Sequence, residues 1–164
     1  MAVIERLRRF LDAEGVAYAT MPHAEAFTAQ QVAVATHVGA RQVAKVVAVR
    51  EERGAHLMVV LPASCRLDLA ALRRAAGRRR LSLVRESDMG QLFPDCETGA
   101  MPPVGNLYGL PVFIDACFQR DADIVFPAGS HHEVVRMPYA HYVRLVRPVV
   151  GEFCLHERDK SIAE

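Results

Sequence analysis

An α+β domain built on a mixed β-sheet is the fold this sequence predicts, and three observations carry the prediction. Two apolar runs, Val43–Arg50 and His56–Leu61, flank the polar stretch EERGA and so pair as a hairpin. Amphipathic helical patterns stand near both ends, over residues 2–14 and 139–146. Between them, strands and helices mix without the regular strand–helix–strand rhythm of a parallel α/β sheet.

The elements follow in order. Val3, Ile4, Leu7, Phe10 and Leu11 share one face of the first helix, and Gly15 ends it. Thr28 with Gln31 three residues on is a capping box, opening a helix that runs to about His37 and stops at Gly39. After the hairpin, Asp68 caps the short helix LAALRRAA and Gly77 closes it. Leu81–Val84 reads as a strand and Ser87–Leu92 as a helical turn. Val112–Ala116 and Asp123–Phe126 read as central strands with Glu133–Met137 beside them, and Pro138 suits the first turn of the last helix. One domain over residues 1–164, with a polar tail from about 152, accounts for the whole chain.

Composition narrows the function classes. Net charge is +1, too small for a protein that coats nucleic acid by charge alone. Charge is uneven, however: residues 66–85 hold seven arginines and one aspartate, and Arg78, Arg79 and Arg80 form a candidate tRNA-phosphate patch or a solvated face. No apolar run is long enough for a membrane span, and the charged N-terminus lacks a signal-peptide core, so a cytoplasmic location is the expectation. The four cysteines are scattered and read as free thiols. No spacing of Cys, His, Asp or Glu suggests a metal site, and no cofactor motif is present.

Two places could carry chemistry. Lys45 interrupts the apolar run VAKVVAV, so its ammonium either snorkels from a strand edge or enters a cleft. The segment from Phe93 to Asp115 concentrates three glycines and four prolines, which hold one loop shape with backbone groups aimed at something. Farther on, AGSHH at 128–132 sets a glycine beside Ser130 and His131 after a strand, able to present a polar group to a small ligand.

Lys45, VLPA at 60–63 with DLAAL after it, GAMPP at 99–103, YGLPVFID at 108–115 and FPAGSHHEVVRM at 126–137 occur in one order. That order resembles the YbaK/prolyl-tRNA synthetase editing-domain family of aminoacyl-tRNA deacylases, over about residues 15–148. The resemblance implies a mixed, partly barrel-like sheet surrounded by helices, with a pocket for the aminoacylated 3′ end of tRNA. It implies that Lys45 is the pocket lysine and that Gly99 and Pro103 bound the GxxxP loop, with Met101, Pro102 and Val104 as walls. Gly129, Ser130 and His131 fall on the opposite wall, with Lys45, Gly129 and His131 placed at the chemistry. Position 46, after the lysine, is commonly Asn in relatives that clear alanine from proline tRNA and Thr in those that clear cysteine; here it is Val46.

The implied reaction is hydrolysis of the ester on a mischarged tRNA carrying a small amino acid, alanyl- or cysteinyl-tRNA for proline being favoured. No cofactor, membrane or DNA partner is implied, and an aminoacyl-tRNA synthetase as a docking partner stays open. Two alternatives stand beside it: a non-catalytic aminoacyl- or nucleotide-binding module of the same fold, and a thiol-dependent protein using Cys96.

Overall fold

In the computed structural model, residues 3–155 are described. Lys160 and most of the polar tail lie outside the described residues. Helix α1 (Val3–Ala13) leads into strand β1 (Ala19–Pro22) and helix α2 (Ala29–Thr36). Strands β2 (Ala44–Glu51) and β3 (His56–Pro62) form the expected antiparallel hairpin, with Lys45 opposite Leu61. Short β4 (Arg66–Leu67), α3 (Leu69–Ala76), β5 (Leu81–Leu83) and α4 (Glu86–Leu92) follow. After the Gly/Pro loop come β6 (Val112–Asp115), a 3-10 turn at Ala116–Arg120, β7 (Asp123–Pro127) and β8 (Glu133–Pro138). Helix α5 (Tyr139–Val146), β9 (Val149–Gly151) and β10 (Cys154–Leu155) complete it.

Three sheets result. A five-stranded sheet runs in the order β5-β2-β3-β6-β9, a three-stranded one in the order β1-β8-β7, and β10 pairs with β4. The larger sheet is mixed, because β6 lies parallel to both β3 and β9. A parallel bridge between Val43 and Val125 joins the two larger sheets and curls them partway toward a barrel. The run LMVVL in β3 is buried throughout, as fits a strand covered on both faces.

The two sides of β2 serve different cores. Ala44, Val46 and Ala48 face a cluster with Leu7, Met101, Val104, Phe126 and Tyr142. Val47 and Val49 face a second cluster with Leu61, Leu72, Phe113 and Phe153. A third cluster lies under α2, where Val32 and Ala33 meet Val43, Val125 and Val134.

Several sequence expectations are corrected. α2 ends at Thr36, three residues before Gly39, because His37 itself takes the left-handed conformation and its N–H bonds the carbonyls of Ala33 and Val34. Pro138 is the N-cap of α5 rather than a residue of its first turn, since it still pairs in β8. β6 and β7 belong to different sheets, because the 3-10 turn redirects the chain after Asp115. Cys117 stands in that turn, half-buried, and not within an apolar strand. The tail is no loose end at its start: Phe153 is buried and β10 is paired. Among the described residues, no helix is long and apolar enough to cross a membrane.

Candidate active site

The Gly/Pro loop is fixed from several sides. The buried hydroxyl of Tyr142 donates to the Pro103 carbonyl at 2.6 Å. Arg6 of α1 donates to the Asp95 carboxylate and to the Leu107 carbonyl, and its guanidinium lies over the Tyr108 ring. The Tyr108 hydroxyl donates to Asp95 at 3.1 Å and meets the Cys96 sulfur at 3.0 Å. Such a loop is held by packing and hydrogen bonds together, so it resists reshaping.

Hydrogen bonds stitch this loop to the turn at 128–132. Gly129 N–H donates to the Ala100 carbonyl at 2.8 Å, and Glu97 N–H donates to the Gly129 carbonyl at 2.9 Å. Both glycines at the junction have positive φ, +86° at Gly99 and 96° at Gly129, a region that side chains with a Cβ rarely occupy. A Cβ on Gly99 would also lie 3.3 Å from the Phe27 carbonyl oxygen, so the chain before α2 closes on the same point.

His131 sits at this junction, its side chain 12% exposed. Its backbone N–H donates to Glu97 Oε2 at 2.9 Å, and its Nε2 lies 3.5 Å from the same oxygen. The Phe27 ring packs on the imidazole with centroids 4.9 Å apart. Beside the junction opens a cleft of about 230 Å³ lined by Val46, Ala48, Val84, Met89, Thr98, Gly99 and Met101 among others. A small hollow of mainly apolar lining, with the Glu86 carboxylate and the Thr98 hydroxyl in its wall, can hold a short side chain.

The structure thus brings Gly99, Met101, Gly129 and His131 together, with Val46 joining them. Other expected positions fall elsewhere. Pro102, Pro103 and Val104 are buried, and Val104 packs in the main core rather than facing the cleft. Ser130 is used locally, its hydroxyl accepting from His132 N–H at 3.3 Å. Gly129 has no free N–H to orient a water, since both of its main-chain groups are bonded to the loop. Lys45 belongs to the opposite face of β2 from Val46, because alternate residues of a strand point to opposite sides. Its ammonium lies 3.4 Å from the Ala63 carbonyl, with Cys65, Cys154 and Arg66 as its nearest titrating neighbours. Burial holds the Lys45 pKa below the usual lysine value.

The arginine run is partly spent within the protein. Arg78 pairs with Glu51 at 2.5 Å and Arg80 with Glu52 at 2.6 Å, while Arg79 is exposed. Glu51 ends β2 and Glu52 opens the turn after it, a distant match that the local charge count does not reveal.

Cys96 is no activated thiol. Burial pushes its pKa up to about 12, outweighing the hydrogen bond with Tyr108, so the nucleophilic thiolate is scarce at neutral pH. Cys96→Ser is therefore expected to keep full activity in any assay of the protein, whereas a thiol-dependent mechanism requires its loss.

Glu97 and Phe27 carry no signal in the sequence. Each gains its meaning from contact with residues far along the chain. Only the position of Glu97 two residues before Gly99 could have drawn attention to it.

Fold and sequence together place the chain in one family of domains. The family model described as the aminoacyl-tRNA editing domain matches residues 23–145, and the chain belongs to that family. Curated relatives in Escherichia coli strain K12 and in Escherichia coli O157:H7, each named multifunctional Ser/Thr-tRNA deacylase ProXp-y, are 30% identical over 99 residues. These matches cover 60% of this chain and 59% of each relative, so the chain spans under two thirds of their length. Among solved structures, one described as a candidate trans-editing enzyme for prolyl tRNA synthetase superposes with a TM-score of 0.79 at 21% identity. It covers 95% of this chain and 99% of its own. Another, described only as a hypothetical protein, gives a TM-score of 0.83 at 18% identity over 92% of this chain and 99% of its own. These structures share the fold.

Proposed function

We propose that this protein is a trans-editing deacylase, hydrolysing the ester between a small amino acid and the terminal ribose of a mischarged tRNA. The observation that carries this reading is the junction itself. The Gly99–Met101 segment and the Gly129–His131 turn, two of the places where the chain resembles the editing family, are bonded to each other beside a small apolar cleft.

The cleft takes the amino-acid side chain. Val46, Met89 and Met101 give it apolar walls and Thr98 gives it one hydroxyl. Alanine or cysteine fits such walls, and serine or threonine could pair with Thr98, in keeping with the name of the curated relatives. A rigid hollow is needed because one methylene changes binding by only ~1–3 kcal/mol, so selection relies on excluding the larger, correct residue.

An activated ester needs modest help. His131, oriented by Glu97, holds the attacking water and accepts its proton, while the neighbouring ribose hydroxyl assists the departing oxygen. Gly129 shapes this arrangement rather than touching the substrate. Lys45, on the far face of β2, anchors a backbone phosphate of the tRNA 3′ strand and acts on binding more than on the bond cleaved. A synthetase as docking partner would serve to deliver or retain the tRNA.

The test is deacylation of a panel of mischarged tRNAs: alanyl- and cysteinyl-tRNA for proline first, then seryl- and threonyl-tRNA. One or more should be turned over by the wild type. His131→Ala should lower kcat about 100-fold. Lys45→Ala should raise KM and leave kcat closer to wild type. Absence of turnover across the panel by the folded protein would overturn the reading and leave a binding module.

A further inference from the structure

Phe27 is out of place for a purely structural residue. It precedes Thr28, the N-cap of α2, and an apolar residue there ordinarily packs on the fourth residue of the helix, here Val32. Val32 is buried, but against Ala26, Val43 and Val125, and Phe27 has no part in that cluster. Its ring is 57% exposed, the one aromatic among the exposed large apolar residues described.

The residue is nevertheless fastened at its backbone. Phe27 N–H donates to Gln31 Oε1 at 2.8 Å, inside the capping box. Its carbonyl oxygen abuts Gly99, which lines the cleft. Its ring leans on His131 at 54°, so one edge is supported and a face stays open to solvent. His131 is itself tied to Glu97. An exposed aromatic ring on a fixed backbone near a candidate ligand site is what a nucleobase stacks on, and base–aromatic stacking contributes about 1–3 kcal/mol per base.

We propose that Phe27, supported by His131, is a stacking platform for the adenine of the terminal nucleotide of tRNA, next to the cleft that takes the aminoacyl group. The inference rests on the deacylase reading for the identity of the occupant. The 3′ end of tRNA is single-stranded, so its bases are free to splay onto such a face, and sequence-tolerant recognition by stacking suits an end common to all tRNAs. The purine could also come from a free nucleotide, and the test separates the two sources.

The chain has no tryptophan, so Phe27→Trp places a unique fluorophore on the platform. A CCA oligoribonucleotide should quench its emission on binding, and adenosine monophosphate should do so only at higher concentration. In deacylation assays Phe27→Leu, which keeps apolar bulk but loses the π-face, should raise KM about tenfold while kcat changes little, with Phe27→Trp near wild type. No quenching by the oligonucleotide, or an unchanged KM in Phe27→Leu, overturns the platform. Tighter binding of the mononucleotide than of the oligonucleotide overturns the tRNA end as its occupant. Quenching without turnover of any mischarged tRNA would sink the deacylase reading and leave the platform standing; turnover without quenching would do the reverse.

Discussion

Gly105→Ala is expected to leave no folded protein. A Cβ at this position would fall on the carbonyl oxygen of Leu110 and within 2.6 Å of Val112 Cγ2. Neither obstacle can swing aside. Leu110 is bound back to Gly105 through its own N–H, at 3.1 Å, and Pro111 gives its carbonyl to Met58 N–H at 2.9 Å, so the segment is locked to β3. Val112 is buried at the start of β6, between β3 and β9. Relief therefore requires displacing the root of a strand paired on both sides. The cost should exceed about 4 kcal/mol, a large share of the stability of a domain this size. Gly109→Ala is the matched comparison: its φ is +66° but a Cβ there meets nothing, so only conformational strain of roughly 1–2 kcal/mol is at stake. Thermal melts of the two variants beside wild type decide it. A Gly105→Ala protein melting within a few degrees of Gly109→Ala would show that the loop yields where the packing says it cannot.

That rigidity bears on function. Tyr142, Arg6 and the Gly105 close approach all act on residues 95–110, and none of them reaches the cleft. They fix the frame from which Gly99 and Met101 project. In the sieve proposed above, a wall that must reject one extra methylene cannot relax around it, so fold stability and selectivity would draw on the same contacts.

Local signals were legible and distant pairings were not. The Thr28–Gln31 box, the Asp68 and Gly77 caps and the β2–β3 hairpin all appear where short-range patterns place them. Strand β1, with the sequence ATMP, has no alternation and contains a proline; it exists because β8 offers it an edge. β9 and β10 are three and two residues long and owe their conformation to β6 and β4. In the site, the order of the short motifs pointed to two loops that the fold brings together. The face of β2 on which Lys45 falls follows from strand phase, which a run as uniformly apolar as VAKVVAV does not disclose. Glu97 and Phe27 were invisible because a carboxylate and a ring gain their roles only through His131.

Asp115→Ala should be the most damaging change at the far end of β6, and acid should act on the wild type through the same group. The Asp115 carboxylate is 5% exposed and accepts from Phe153 N–H at 2.7 Å and from Cys117 N–H at 3.0 Å. It thereby ends the strand, starts the 3-10 turn and holds the segment that carries the buried Phe153 ring. Alanine would strand these two donors, at about 1–3 kcal/mol each. Burial alone would raise the Asp115 pKa, but the hydrogen bonds from Phe153 and Cys117 outweigh it and hold the carboxyl below its usual value. A group with a depressed pKa in the fold stabilises fully above its unfolded value and loses that contribution as pH falls through the folded one. Urea melts at pH 7 and below about pH 4 should therefore show wild type losing stability to acid by a larger margin than Asp115→Asn, which has no charge to lose. Equal acid sensitivity in the two proteins would mean that the carboxylate is not what the Phe153 and Cys117 amides require.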